Sequence, residues 1–422
     1  MNTEVRNYCK NKSNLDTQVL KDTFLAFLVL LSVLLLTFFR NPRLFIYPEP
    51  WQEDMAIFIS QEYSIGFPET AFTLYAGYIH LLPRIIVWAA MKLGMTGVMP
   101  AMTWTVLFFN LLTVYLIYKS KEISSGLVKL AVIAYLVLMP FPEDIFNNVT
   151  DLQWNLIPLM AIIIIRRDTG IPTFIFDIGL LVLTGLTGIN SIMFAVPCAY
   201  LYLRTRAREH LIKGSVVIIC GLIQFCCLYS SPRIGRIIYE DGISDLIDLF
   251  VNRVVYRTLF DVVSTGYLNI AVFVIYLSIL AFNLWYYRRQ VTVHFILLFS
   301  AIFMSAVIYN LISAHRDTDF LITGMSRFWA ERYFAFLRTC SFVLLVSSLN
   351  IVFSSALSRR NYRRCMAFSC FLLCLIMLHN FHARFQFEYN YYGEAAAFES
   401  ALPGETVAFH YPHGWQTFLV KK

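Results

Sequence analysis

The stretch FLAFLVLLSVLLLTFF runs from Phe24 to Phe39 without a charged residue. A helix needs about 20 predominantly apolar residues to cross the hydrocarbon core of a bilayer. Comparable runs recur along the chain and predict helices at 23–40, 98–118, 128–142, 154–166, 172–188, 190–204, 213–230, 267–287, 292–313, 333–356 and 364–381. The region 171–204 reads either as two short spans or as one span broken around GLTGIN, Gly185 to Asn190. Only 14% of the 422 residues are charged and 58% are hydrophobic; a soluble chain carries roughly a quarter charged residues. The runs are continuous rather than alternating, which excludes a membrane β-barrel. The expected fold class is therefore an all-α integral membrane protein with about eleven transmembrane helices.

The charges orient these helices. With the N-terminus inside, 19 of the 34 Lys and Arg fall in the 1–22 tail and in short cytoplasmic segments, among them KSKE (119–122), RTRAR (204–208) and SRRNYRR (358–364). The opposite side holds 20 of the 27 acidic residues. That asymmetry follows the positive-inside rule, so the net charge of +7 reflects topology and does not imply nucleic acid. The division becomes a cytoplasmic tail 1–22, a transmembrane domain 23–381 and an exterior C-terminal segment 382–422. The loops 41–97, 231–266 and 314–332 also face the exterior. No small-x-small cleavage site follows the first run, so it reads as a permanent helix rather than a signal peptide.

Nine cysteines are present and none lies in the exterior loops. They read as packing residues, since no Cys/His spacing suggests zinc. No P-loop, internal repeat or heavily charged cytoplasmic domain is visible. Neither a cofactor nor a metal is expected.

Chemistry concentrates in the first exterior loop, at YPEPWQEDMAIF (Tyr47 to Phe58). Glu53 and Asp54 follow the first span closely, braced by Pro48, Pro50 and Trp51. A carboxylate near a dry boundary is a candidate general base, because desolvation raises its pKa toward neutrality. The bland alternative is a pair of solvated loop charges. YAGYIHLLPRIIVWAAMKLG, Tyr75 to Gly94, follows. His80, Pro83, Arg84 and Lys92 interrupt it, which suits an interfacial or re-entrant helix. On that helix Arg84 either meets an anionic group or snorkels.

The run W-x-E-D with YAGYIHLLPR some twenty residues on resembles a bacterial subgroup of the GT-C class of glycosyltransferases. In arrangement the chain is similar to serotype-converting O-antigen glucosyltransferases, over most of its length. The specific motifs cover about residues 48–84. The resemblance implies a multi-pass protein of the bacterial inner membrane that transfers a sugar, glucose in those relatives, from a polyprenyl-phosphate donor to a lipid-linked glycan. It implies the bilayer as partner, with a flippase and a cytoplasmic-side donor synthase supplying the donor. Asp54 or Glu53 is then the base, Asp54 placed ahead by its position nearer the apolar run. Trp51, Tyr75 and His80 are substrate-binding candidates. The C-terminal loop of such enzymes carries paired lysines, matched here by Lys421 and Lys422.

Two further stretches join the candidates. In SAHRDTDFLITGMSRFWAERYFAF, Ser313 to Phe336, Arg327 and Arg332 suit a departing phosphate, with Glu331 orienting one of them. Plain interfacial anchoring is the competing reading. In NNVTDLQWN, Asn147 to Asn155, Asp151, Gln153 and Trp154 suit a sugar, Trp154 by stacking. A transporter or flippase of lipid-linked saccharide is the rival function. It requires polar residues along the midplane, where the spans offer few beyond Asp177, Arg338 and His294. A scaffold subunit would tolerate loss of the acidic pair.

Overall fold

The computed structural model of the chain describes residues 3–123, 125–139, 148–167, 170–231, 247–248, 250–259, 266–287, 295–302, 331–378, 390–411 and 415–422. The first helix, α1, is Thr3–Arg40. It runs straight through the expected cytoplasmic tail, because no Pro or Gly interrupts the chain before Pro42. After a short α2 (Arg43–Ile46) the chain forms a π-helical turn, Asp54–Ile59, continued by α3 (Ser60–Ser64). Then come α4 (Leu81–Met91), α5 (Met95–Lys119), α6 (Gly126–Leu138), α7 (Leu152–Ile165), α8 (Ile171–Gly185), α9 (Asn190–Thr205) and α10 (Arg208–Tyr229). The later elements are α11 (Tyr267–Tyr286), α12 (Glu331–Ala356), α13 (Arg359–Leu378), α14 (Tyr391–Ser400) and an antiparallel hairpin of β1 (Thr406–Tyr411) and β2 (Trp415–Val420).

Six helices among the described residues are long and apolar enough to cross a membrane: the Thr17–Arg40 part of α1, then α5, α10, α11, α12 and α13. The other five expected spans fall on α6, α7, α8, α9 and a helical piece at 295–302. At 13–16 residues the first four extend only about 20–24 Å at 1.5 Å per residue. Among the described residues the protein is mostly helical, with a C-terminal hairpin, as expected for an all-α membrane protein. The region 171–204 resolves into two helices, broken at Leu186–Ile189, where Gly188 takes a φ of 85°. A side chain there would collide with Gln153.

Burial separates the centre from the rim. The apolar windows of α5 and α12 are 50% and 56% buried, whereas those of α1, α11 and α13 bury 17%, 11% and 17%. The rim helices therefore turn Leu, Ile, Val and Phe outward, such as Phe27 on α1, Ile275 on α11 and Phe371 on α13, as a lipid-facing surface permits. Pro100, Pro158 and Pro197 sit inside helices, tolerated where neighbours re-satisfy the freed carbonyls.

Two polar fastenings position the first loop. Arg40 donates to the Val137 and Met139 carbonyls at 2.6 and 2.9 Å, satisfying acceptors that the end of α6 leaves open. The non-helical strand before α4 docks on the α8–α9 break. Leu81 N donates to Leu186 O at 3.0 Å, Gly188 N to Ile79 O at 3.1 Å, and Leu82 N to the Thr187 hydroxyl at 3.0 Å. The Gln224 side chain serves both backbone groups of Ile79, accepting from its N–H at 2.9 Å and donating to its carbonyl at 3.0 Å. Buried non-helical backbone is admissible only with such partners.

On α8, Asp177 is wholly buried and ion-paired to Arg166 of the α7 terminus and to Lys213 of α10, the latter at 2.9 Å. Lys213 also donates to the Ile163 and Arg166 carbonyls. Asp177 is thus a three-helix fastening rather than a lone midplane charge. Arg338, fully buried on α12, donates to the Arg253 carbonyl at 2.8 Å. His294 lies outside the described residues. The eight described cysteines are free thiols.

Candidate active site

The π-helical turn turns Met55, Phe58 and Ile59 fully inward and sets Asp54 at its start. Asp54 is completely buried. Its Oδ1 accepts from the Thr150 amide at 3.0 Å and the Thr150 hydroxyl at 2.7 Å, and its Oδ2 from the Trp51 amide at 3.3 Å. The expected first and third constellations therefore meet. Asp151, next along, is buried and bracketed by Asn148, whose side chain donates to its carboxylate at 2.9 Å and accepts from its amide at 2.6 Å.

Burial pushes the Asp54 carboxyl up from 3.8 to about 7, against the Thr150 and Trp51 hydrogen bonds and with a small contribution from Glu53. A folded-state pKa raised above the unfolded value favours folding below pH 4, and that advantage is lost as pH rises through 7. The thermal midpoint of the detergent-solubilised protein should therefore fall between pH 5 and 8 relative to that of Asp54→Asn. Parallel pH profiles for the two proteins would exclude the shift.

Glu53 is half-buried and differently held. Its Oε1 accepts from the Tyr75 hydroxyl at 3.3 Å, while its Oε2 is buried with no hydrogen-bond partner. Tyr75, with Phe58 and Tyr78, encloses His80: the ring centroids lie 5.4, 5.6 and 4.7 Å from the imidazole. Burial, and then the charge of Arg84, push His80 down to about 3, so the ring is neutral. Neither of its nitrogens meets a partner in good hydrogen-bond geometry, although the nearby Tyr75 backbone pulls its pKa slightly upward.

Arg84 lies on α4 one turn beyond His80, fully buried. Its guanidinium sits 4.6 Å from the Phe58 ring centre and its Nη2 donates to Gln61 Oε1 at 2.5 Å and to the Thr73 carbonyl at 3.4 Å. Burial lowers its pKa to about 10, partly offset by Glu62. Nε and Nη1 have no hydrogen-bond partner, and neither does Gln153 Oε1, whose amide donates to the Tyr78 hydroxyl at 3.4 Å. Native interiors leave few buried polar atoms unsatisfied, and those that remain mark a ligand, a water or a catalytic role. Here a carboxylate oxygen, an imidazole and a guanidinium share one aromatic enclosure.

Trp154, one turn from Thr150 on α7, lines a small cavity of about 60 Å³ with Thr37, Ala335, Phe336 and Thr339. The start of α12 thus approaches the 148–154 segment. Of the second constellation, Arg327 lies outside the described residues, and Glu331 and Arg332 form the first turn of α12 with their side chains outside the description. The expectation of no metal overlooked one D-x-D spacing, Asp317–Thr318–Asp319, which also lies outside the described residues.

The C-terminal segment closes on the same loop. Lys422 donates from Nζ to the Tyr63 and Ser64 carbonyls at 2.8 and 2.9 Å and from its amide to the Tyr63 hydroxyl at 2.7 Å. Lys421 Nζ lies 5.0 Å from the Phe398 ring centre and donates to the Glu399 carbonyl at 3.3 Å. Glu399 in turn accepts from Thr96, and the Tyr391 hydroxyl donates to the Met95 carbonyl. The paired lysines fasten the hairpin to α3 and α14. Lys422→Ala is expected to speed amide hydrogen exchange over 61–65 several-fold, with α4 unchanged. An unaltered exchange map would remove the tether.

Thr150 and Gln61 were missed by sequence reasoning, whereas Gln153 was among the sugar-binding candidates. Thr150 lies inside a stretch singled out for its neighbours, but a threonine carries no signal of a carboxylate 96 residues earlier. No family model matches the chain, and no curated protein or solved structure matches it.

Proposed function

We propose that the protein is a GT-C-like glycosyltransferase of the bacterial inner membrane. In this reading the eleven apolar segments follow the positive-inside order, with the N-terminus cytoplasmic and the first loop and C-terminal segment periplasmic. A sugar passes from a polyprenyl phosphate to a hydroxyl of a lipid-linked or cell-surface glycan, with inversion at the anomeric carbon. The observation that carries the reading is the enclosure of Glu53, His80 and Arg84, each with buried polar atoms that no protein group satisfies, on the loop that follows the first long apolar helix.

Within the acidic pair we place Glu53 ahead of Asp54. What supports this is that Asp54 Oδ1 is engaged by Thr150, whereas Glu53 Oε2 is buried with no hydrogen-bond partner in the protein and would accept from a substrate hydroxyl. Glu53 takes the proton of the acceptor hydroxyl, whose oxygen attacks the anomeric carbon. The carbon–oxygen bond to the lipid phosphate breaks through an oxocarbenium-like state, and the phosphate leaves with the bonding pair. Arg84 faces the charge that develops on that oxygen, and fixed cations aimed at developing charge are the largest source of such stabilisation. Asp54 holds the 148–151 segment against Glu53.

The test is transfer of labelled sugar to endogenous glycan in membranes supplied with polyprenyl-phosphate hexoses. Wild type should transfer at least one of them. Failure with every donor would overturn the reading.

A further inference from the structure

The helices that hold the Ile79–Leu81 segment also fix its depth. α9 and α10 meet at the basic turn Arg204–Arg208, and such residues mark a membrane boundary. From that level α10 extends 22 residues to Tyr229, about 33 Å, which fits the roughly 30 Å hydrocarbon core from end to end. α9 has only 16 residues, so its Asn190 end stops about 9 Å short of the level of Tyr229. The α8–α9 break, on which Leu81 docks, therefore lies inside the bilayer. Gln224 gives a second measure of the same depth. It holds both backbone groups of Ile79 and precedes Tyr229 by five residues, about 7 Å along the helix. Its chain neighbours Leu222, Ile223 and Phe225 are exposed, as a lipid-facing stretch of α10 requires.

The chain beside this segment carries apolar side chains that no protein group covers. Ala76 and Gly77, at φ 55° and 91°, form a two-residue turn closed by mutual bonds between Tyr75 and Tyr78 at 3.1 and 3.2 Å. A turn of that kind lays its flanking residues side by side, which sets Leu74 next to Ile79. A side chain at Gly77 would strike Ser231 and Leu228, so the turn itself stands at the end of α10 and Leu74 falls below it. Yet Leu74 is 41% exposed and Phe72 is 65% exposed. The backbone is equipped for this depth, because the N–H groups of Tyr75, Tyr78, Ile79 and Leu81 all donate within the protein, as the hydrocarbon demands. Toward the end of α4 the pattern changes. Lys92 lies 5.7 Å from the Trp88 ring centre and Phe67 4.9 Å from it, the combination found at headgroup level.

We infer that the first loop is immersed in the bilayer to about 7 Å at Leu74 and Ile79, with phospholipid acyl chains as the partner of Phe72 and Leu74. Glu69, exposed in the turn before Phe72, stays among the headgroups. Tyr75 follows Leu74 directly, so lipid borders the aromatic enclosure of His80 on that side. None of this depends on the transferase reading. The experiment uses the purified full chain, one copy per phospholipid nanodisc, which leaves both faces open to reagent and admits no other protein. Glu69→Cys and Leu74→Cys are labelled separately with a membrane-impermeant maleimide, and the labelling of wild type through its own cysteines is subtracted. Leu74→Cys is expected to react at least about tenfold more slowly than Glu69→Cys, because the reactive thiolate forms in water and not in hydrocarbon. In denaturant the two should react alike. Equal rates in the nanodisc overturn the inference. On the unaltered chain, phospholipid with a diazirine at mid-acyl chain should crosslink to residues 72–74 on irradiation. No crosslink there overturns it as well. Since no sugar transfer is measured, either failure leaves the role of Glu53 to its own test.

Discussion

Glu53→Gln is expected to lower sugar transfer by about 10²–10⁴-fold, the range typical of losing a positioned general base. Glutamine keeps the length of the side chain and an oxygen to accept from Tyr75, so the enclosure should stay intact while the proton acceptor is lost. The paired variant, Asp54→Asn, should cost less. At neutral pH the Asp54 carboxyl, with a pKa of about 7, is already near half-protonated, and asparagine retains an oxygen for Thr150. Transfer should be measured on membranes with matched protein amounts, alongside the thermal midpoint of each variant. A Glu53→Gln protein that transfers at the wild-type rate sinks the assignment. A larger loss from Asp54→Asn, with its midpoint preserved, moves the base to Asp54, where position in the chain had placed it.

The largest effect on stability should come from Asp177. Its carboxylate is wholly buried between Arg166 and Lys213. Removing one member of a buried ion pair leaves uncompensated charge and costs about 3–5 kcal/mol, whereas replacing the pair with apolar groups is often neutral. Asp177→Ala should therefore lower stability toward chemical denaturation in detergent by about that amount, because Lys213 and Arg166 lose their buried counter-ion. The double variant Asp177→Ala with Lys213→Met should recover a large part of the loss. If the double variant is less stable than the single, the three-helix fastening does not act through charge. Transfer by the double variant should be near normal, since these residues lie on helices away from the Glu53 enclosure.

Much of the architecture was legible because continuous apolar runs announce helices whatever their tertiary setting. Each expected span that falls on described residues is helical over most of its described length. Composition alone did not separate the short helices from the long ones, since α6 and α7 are as apolar as the longer spans while much of their surface is buried in the protein core. Tyr75, His80 and Arg84 were legible as breaks in an apolar stretch, and the acidic pair by its place after the first helix. Their convergence on Phe58 was not, because it depends on how α4 folds back over the π-helical turn. The preference for Glu53 over Asp54 was equally hidden. It is decided by Thr150, and hydrogen bonds across 96 residues leave no local pattern.

The docking of Ile79–Leu82 on the α8–α9 break imposes an order of assembly. The partners of that segment, Leu186, Thr187, Gly188 and Gln224, lie 105 to 145 residues further along. Contacts so distant in sequence form late. Until α8, α9 and α10 have entered the membrane, the backbone of Ile79 and Leu81 has nowhere to place its polar groups except water. The first loop must wait outside the bilayer, with His80 and Arg84 still apart from their enclosure. A nascent chain halted before residue 186 should therefore expose 75–92 to protease, and one halted after 230 should protect it. The Glu53 enclosure is completed at that step of biogenesis, long after its residues have been made.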